Sequence, residues 1–244
     1  MAPRTGIIAA MESEIRDLAA SLDLERTERI AGREIRYGHL EGQPVAIVLC
    51  GCGKVNAALS ATLLAGHGRV SRILVTGVSG GLAAGLKVGD VVIGDSFVQH
   101  DLDARPLFPL HEIPFEGFSH IGSDPGLRPL LTDAARSMLA SARPPGLEQA
   151  EVLEGLVVSG DQFLSNREAR ERLLEDIPMA CAVDMESAAI AQVCRAADLP
   201  LGVMRVISDS ADGSAHIDFA RFVELSASKA CAETVRFALR AMAD

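Results

Sequence analysis

The chain has 244 residues, 48% apolar and 23% charged, with 11 prolines; this excludes a disordered, collagenous or low-complexity polymer and suffices for one large domain over residues 1–244. Aromatic residues are only 4%, with no Trp and one Tyr, so the core must be built from Ala, Val, Leu and Ile, and a platform of stacked rings for carbohydrate is disfavoured. Lys and Arg number 23 against 33 Asp and Glu, and the net charge of −10 repels nucleic acid and anionic membrane surfaces.

A strand is predicted over residues 5–10, followed by a helix over 12–22. The apolar stretch before Glu12 is too short for a signal-peptide core, and no later run reaches the ~18 apolar residues of a membrane span, so a cytoplasmic protein is expected. In the helix Met11, Ile15, Leu18 and Leu22 form the core stripe, and Glu12 and Glu14 flank it on opposite sides. Periodicity does not choose between these two acids, and both also fit as dipole-favoured residues at a helix start. Strands over 34–40 and 45–49 lead to Gly51-Cys52-Gly53-Lys54, which opens a helix over 55–65. Asn56 stands where a dinucleotide fingerprint needs its third glycine, and no Walker loop fits. A strand over 72–76 runs into Thr76-Gly77-Val78-Ser79-Gly80-Gly81, backbone that bends sharply and lets a ligand approach closely.

After a strand over 88–93, residues 100–124 form the one long irregular stretch, with three prolines, Phe108, Phe115 and three of the six histidines; loops of this length are usually functional or interfacial. A helix over 126–139, a strand over 154–158, a helix over 165–174 and a strand over 180–183 follow. The helix over 185–197 carries Glu186 on the face of Ala189, Ile190 and Val193, at the head of the stripe that should meet the sheet. Such a carboxylate needs a partner unless it is simply exposed on the first turn. Arg205 interrupts the apolar strand over 201–207, and a buried cation demands an anion. Ser208 and Asp209 lie just past that strand, where an α/β site is expected, although a lone Ser-Asp-Ser would be read as a turn. A last helix spans 218–241. Cys50, Cys52, Cys181, Cys194 and Cys231 are odd in number and lack a CxxC pair, so reduced thiols are expected rather than disulfides or zinc. Strands alternating with helices argue for an α/β domain with a mainly parallel sheet covered on both faces.

Seven segments in order resemble the 5′-methylthioadenosine/S-adenosylhomocysteine nucleosidases of the purine nucleoside phosphorylase superfamily. They are Gly6-Ile7-Ile8-Ala9-Ala10-Met11-Glu12-Ser13-Glu14, Gly51-Cys52-Gly53-Lys54-Val55, Thr76-Gly77-Val78-Ser79-Gly80-Gly81-Leu82, Leu86-Lys87-Val88-Gly89-Asp90, Val158-Ser159-Gly160-Asp161-Gln162-Phe163, Val183-Asp184-Met185-Glu186 and Arg205-Val206-Ile207-Ser208-Asp209. No single segment is diagnostic, but the ordered set covers nearly the whole chain. The resemblance implies a three-layer α/β/α fold around a mixed, mostly parallel and partly barrel-like sheet. It also implies a homodimer and no metal or organic cofactor. The implied reaction is hydrolysis of the N-glycosidic bond of 5′-thio-substituted adenosines.

By position, the resemblance places the water-activating carboxylate on Glu14 and the purine-protonating acid on Asp209. The ribose-holding carboxylate falls on Glu186 beside Met185, the base-stacking ring on Phe163, and main-chain contacts to the adenine edge on Phe163 and Leu164. Arg205 and Ser208 correspond to supporting groups. Family members commonly carry a serine directly after Thr-Gly, where this chain has Val78; either Ser79 substitutes from the next position or that contact is absent. The loop at Arg105-Pro106-Leu107-Phe108-Pro109-Leu110-His111 also departs from familiar forms, in a region that helps form the 5′-substituent pocket across the dimer interface; Phe108 is expected near the partner's pocket.

These residue types suit the chemistry. Cleaving an N-glycosidic bond builds positive charge on the ribose and negative charge on the departing purine, which leaves poorly unless a ring nitrogen is protonated. A carboxylic acid at Asp209 supplies that proton, an ionised Glu14 takes one from water, and Glu186 accepts hydrogen bonds from two ribose hydroxyls. A phosphorylase of the same superfamily would need cations converging on phosphate, with Arg205 the obvious buried candidate and Glu14 repelling the anion. Futalosine or another 5′-modified nucleoside remains open as substrate. A nucleoside-binding protein without turnover is disfavoured by the three acids, and a nicotinamide oxidoreductase by the failed fingerprint.

Overall fold

The structure, a computed structural model, describes residues 3–209, 211 and 222–243. Its elements are β1 (Thr5–Ala9), α1 (Glu12–Ala20), β2 (Asp23–Ile30), β3 (Arg33–Leu40), β4 (Gln43–Leu49), α2 (Lys54–Gly66), β5 (Arg72–Gly81), β6 (Val91–Gln99), β7 (Ile121–Gly122), α3 (Leu127–Ser141), β8 (Val152–Ser159), α4 (Arg167–Asp176), β9 (Ala180–Asp184), α5 (Ser187–Ala196), β10 (Leu201–Asp209), a π-helical turn (Val223–Ala227) and α6 (Ser228–Ala241). The strands lie in the order β10-β6-β8-β9-β5-β1-β4-β3-β2, and β10 also pairs with β5. That second pairing closes β10, β6, β8, β9 and β5 into a ring, while β1 to β4 extend from it as an open wing.

Alternation along the strands sends side chains to two helix layers. In β1, Ile8 packs with Ala57, Ala61 and Leu64 of α2 and Ala188 and Ile190 of α5. Its neighbour Ile7 packs with Ile15 and Leu18 of α1 and Val235 and Leu239 of α6. In β5, Leu74 faces Leu131 and Ala135 of α3. Both faces of the sheet are thus buried, each fully buried Leu or Ile contributing roughly 1.5–3 kcal/mol.

The fold is α/β with a mixed sheet, as expected, though five of its ten pairings are antiparallel, more than alternation of strands and helices suggests. Part of that difference comes from β2, which sequence patterning missed. Its residues carry Asp23, Glu25, Arg26, Glu28 and Arg29 without apolar alternation, and six of its eight positions are exposed. It forms because Ala31 and Gly32, both at positive φ (47° and 76°), make a two-residue hairpin turn onto β3. Its charges suit the sheet's terminal strand, where they discourage edge pairing.

Three boundaries also move. The glycine-rich segment after Thr76 continues β5 through Gly81 instead of ending it. The strand expected over 88–93 begins at Val91, because Gly89 takes φ +97° and Asp90 Oδ2 accepts the Lys87 N–H (2.8 Å) in a turn; it then runs to Gln99 across a bulge at Gly94–Ser96. The helix expected from residue 185 starts at Ser187, with Glu186 as its N-cap. The expected start of the last helix at residue 218 lies outside the described residues. Among the described residues, no helix is long and apolar enough to cross a membrane.

Candidate active site

A cavity of about 180 Å³ opens at the carboxyl ends of β1, β8, β9 and β10, beside the end of β5, where ligands of open α/β sheets bind. Glu14, Ser79, Phe163, Leu164, Met185, Glu186, Ser208 and Asp209 all line it, together with Ala10, Met11, Cys52, Val78, Gly80, Gln162, Val183 and Asp184. Of the nine residues that the resemblance places at the site, Arg205 alone does not reach the cavity surface. It lies directly behind, 1% exposed.

The two acids of the first helix stand in different surroundings. Glu12 is exposed and Glu14 buried. Glu14 is the third residue of α1, and its Oε2 reaches back to accept the Met11 N–H (2.8 Å) and the Ala10 N–H (2.9 Å), the acid half of a capping box. Its Oε1 accepts the Val78 N–H from β5 at 2.9 Å. Burial raises its pKa above the usual carboxylate range, against the pull of Arg205 and those three N–H groups.

β5 can pass this close only because residue 77 is glycine. A Cβ there would lie 2.5 Å from both Glu14 Oε1 and Arg205 Nη1. Gly77→Ala should therefore displace the carboxylate and lower kcat/KM about a hundredfold, with about 1–3 kcal/mol lost from unfolding free energy by overpacking. Wild-type kcat/KM in a folded Gly77→Ala protein would show that the Glu14–Arg205 geometry is dispensable.

Arg205 finds its anions in β9 and the cap of α5. Its Nη2 lies 2.8 Å from Asp184 Oδ2 and 3.5 Å from Glu186 Oε2. Asp184 is held in turn by Ser159 Oγ (2.5 Å), the Ser187 hydroxyl and the Glu186 and Ser187 N–H groups (both 3.1 Å). Burial opposes the Arg205 charge, but Asp184, Glu186 and Glu14 outweigh it and hold the guanidinium pKa above its ordinary value. Removing one member of such a cluster leaves a buried charge unpaired.

Glu186, 5% exposed, does not head the helical stripe as its spacing suggested. As N-cap it turns toward the cavity, and Gly53 N–H donates to its Oε1 at 3.0 Å. Burial lifts its pKa to about 7, with Asp184 adding to the rise and Arg205 and Gly53 opposing it. Asp209 ends β10; its Oδ2 accepts from Ser208 Oγ and its Oδ1 from the Ala211 N–H, both at 2.9 Å. Ser208 Oγ also lies 3.2 Å from the Ser79 carbonyl. The Ser79 hydroxyl is buried at the cavity with no partner among the described residues. Phe163 is 53% exposed at the rim and Leu164 is buried.

Sequence reasoning missed Asp184 as the principal partner of Arg205. The signal was present: a carboxylate closing the apolar strand Ala180–Asp184, in a chain whose buried arginine lacked an anion. It also missed Ser159 and Gly53, which bear on the cavity through tertiary contacts, and Ser187, which bonds to Asp184 within one turn. All five cysteines are free, four of them buried. Among the described residues no group of three His, Cys, Asp or Glu side chains could hold a metal ion.

The phosphorylase superfamily model matches residues 4–239: the chain belongs to the phosphorylase superfamily. Its structure superimposes on the 5′-methylthioadenosine/S-adenosylhomocysteine nucleosidase of Neisseria meningitidis in complex with methylthio-immucillin-A at 33% identity and a TM-score of 0.88, covering 98% of this chain and 99% of that one. The corresponding nucleosidase of Colwellia psychrerythraea 34H, in complex with adenine, matches at 30% identity and a TM-score of 0.87, covering 98% and 96%. Futalosine hydrolase of Helicobacter pylori strain 26695 matches at 28% identity and a TM-score of 0.87, covering 99% of each chain. Within the superfamily the chain falls in the 5′-methylthioadenosine/S-adenosylhomocysteine nucleosidase family, and it is an N-glycosyl hydrolase of the adenosine-nucleosidase type.

Proposed function

We propose that the protein hydrolyses 5′-methylthioadenosine and S-adenosylhomocysteine to adenine and the corresponding thioribose. One observation carries the choice of water over phosphate. Among the described residues, the cavity is lined by Glu14, Asp184, Glu186 and Asp209 and by no Lys, Arg or His, and the guanidinium behind it is engaged by carboxylates. Among those residues a phosphate ion would meet four acids and no cation, whereas positive charge developing on ribose is favoured there.

In this reading Glu14 takes a proton from water as its oxygen attacks the anomeric carbon. Asp209 protonates a purine ring nitrogen as the C–N bond breaks. Glu186 accepts hydrogen bonds from two ribose hydroxyls, with Met185 against the sugar. Phe163 stacks on the base, and the main chain of Phe163 and Leu164 meets its edge. Arg205 holds the carboxylates, Ser208 orients Asp209, and the unpartnered Ser79 hydroxyl is available to the attacking water. The apolar share of the lining, including Met11, Val78 and Val183, suits a thioether tail. The likeness to futalosine hydrolase supports a second reading in which the 5′-substituent is that of futalosine. Incubation with 5′-methylthioadenosine, S-adenosylhomocysteine, futalosine and inosine, with and without phosphate, separates these by which free base appears. Turnover only of inosine with phosphate would overturn both.

The pKa of Glu186 gives a pH signature. The free enzyme's kcat/KM should rise with pH up to about 7 and then level, because the ionised carboxylate is the better acceptor; in Glu186→Gln only the limb that belongs to Glu14, whose pKa burial also raises, should remain. Stability runs the other way. The folded protein keeps a proton on Glu186 that the unfolded chain loses from its ordinary 4.5 upward, so stability from this group is lost as pH rises through about 7. A kcat/KM profile flat from pH 5 to 8 in the parent protein would count against the ribose role.

A homodimer fits the loop between β6 and β7. Phe108 stacks edge-on against Phe115 (5.0 Å, 73°), and Phe115 and Leu107 are 93% and 83% exposed, apolar surface that a partner would cover, bringing Phe108 near the partner's pocket. Light scattering at micromolar concentration should give twice the chain mass; a fully active monomer would refute it. The five free thiols favour a reducing, cytoplasmic setting.

A further inference from the structure

The turn between β4 and α2 bonds both to Glu186 and to the loop that carries Phe163 and Leu164. Gly53 N–H holds Glu186 Oε1 at 3.0 Å. One residue on, Lys54 N–H donates to Asp161 Oδ1 at 2.7 Å and Lys54 Nζ to Asp101 Oδ1 at 2.6 Å. Asp101 Oδ2 accepts the Asp161 N–H at 2.8 Å, closing the knot. Asp161 therefore caps α2 from a distant loop, because the N-cap itself, Gly53, has no side chain to offer. Gly53 takes φ +96°, and a Cβ there would come within 3.0 Å of Asp161 Oδ1, so the two loops meet at a spacing that favours glycine. The loop that begins at Asp161 carries Phe163 and Leu164 into the cavity.

We infer that Lys54 is a positioning residue that locks the base-side loop Asp161–Leu164 to the peptide holding Glu186, so that base and ribose are gripped as one rigid unit. The inference rests on the ribose role proposed above for Glu186. Lys54 is not a ligand for a substrate anion, since its ammonium is committed to Asp101; the two side chains are only 17% and 18% exposed, which shields the pair from salt more than a surface pair. Removing the Lys54 side chain leaves Asp101, which holds the Asp161 N–H, without its cation, and removing the Asp161 carboxylate breaks its bond to the Lys54 N–H; either change loosens the Asp161 loop against the Gly53 peptide.

The test uses Lys54→Met, Lys54→Arg, Asp161→Ala and Glu186→Gln, assayed on 5′-methylthioadenosine and its 2′-deoxy analogue, with adenine affinity by calorimetry and Tm. Lys54→Met and Asp161→Ala should each lower kcat/KM on the ribonucleoside by about tenfold or more and weaken adenine binding several-fold. Each should also shrink the preference for ribose over deoxyribose toward the value in Glu186→Gln, although neither residue touches the sugar. Lys54→Arg, which keeps the charge, should recover most of that preference. A mere staple for α2 would lower Tm and leave the sugar preference and adenine affinity at parent values, which overturns the inference. Asp161→Ala gives the same reading if Lys54→Met does not fold. If Glu186→Gln itself leaves the sugar preference unchanged, the ribose role fails and this inference with it; if only Glu186→Gln collapses it, the inference alone fails.

Discussion

Asp209→Asn should lower kcat on an adenine nucleoside by about three orders of magnitude while the protein stays folded. The amide matches the carboxyl in shape, and its oxygen still accepts the Ala211 N–H now bound to Oδ1. On the other side Ser208 Oγ, which now donates to Oδ2 at 2.9 Å, rotates to accept from the new amide. What the amide lacks is a proton acidic enough to transfer, and general acid catalysis is worth about 10²–10⁴ in rate, with lost charge complementarity added to it. The measurement is kcat beside Tm. Near-normal turnover would take Asp209 out of the mechanism.

The second large effect separates two acids two residues apart. Glu14→Gln should abolish adenine release, and Glu12→Gln should be nearly silent. An amide at position 14 must turn its NH2 toward the Val78 N–H or toward the Ala10 and Met11 N–H groups, which leaves buried donors unmatched at about 1–3 kcal/mol of stability. Its larger consequence is that no base faces the water. In the parent protein, release should proceed in phosphate-free buffer and yield free 5-substituted ribose with no sugar 1-phosphate. A strict phosphate requirement would move the protein to the phosphorylase branch of its superfamily. Activity lost through Glu12 with Glu14 dispensable would mean that α1 presents its other face to the substrate.

Much of this site is legible in the amino-acid sequence because charge is conspicuous within apolar runs. Arg205 within Leu201–Ile207 and Glu186 ahead of Ala188 and Ala189 stand out for that reason, and eight of the nine residues that the resemblance assigns to the site line one cavity. Periodicity alone leaves Glu12 and Glu14 equivalent; the family resemblance points to Glu14, and a main-chain donor on β5, 64 residues away, distinguishes them in space. The pairing of Arg205 with Asp184 and the docking of Gly53 on Glu186 are tertiary facts, invisible to a pattern read along one chain. In the fold, strands with apolar runs are legible and β2 is not, because its hairpin turn and its partner hold it rather than its own side chains. Sequence patterning cuts β5 short at Gly77, since glycine reads as punctuation when its function is to let Arg205 and Glu14 come near.

The guanidinium of Arg205, paired with Asp184 and Glu186 and in the field of Glu14, also limits how this scaffold can change its chemistry. Exchanging water for phosphate would require a cation free to face the anion, yet Arg205 cannot be released without stranding acids in the protein interior. Nor does deleting Glu14 alone free it, because Asp184 and Glu186 remain in contact. A drift toward phosphorolysis would have to alter several of these positions together, through intermediates carrying unbalanced interior charge. Single substitutions at these positions are thus more apt to silence the enzyme than to convert it.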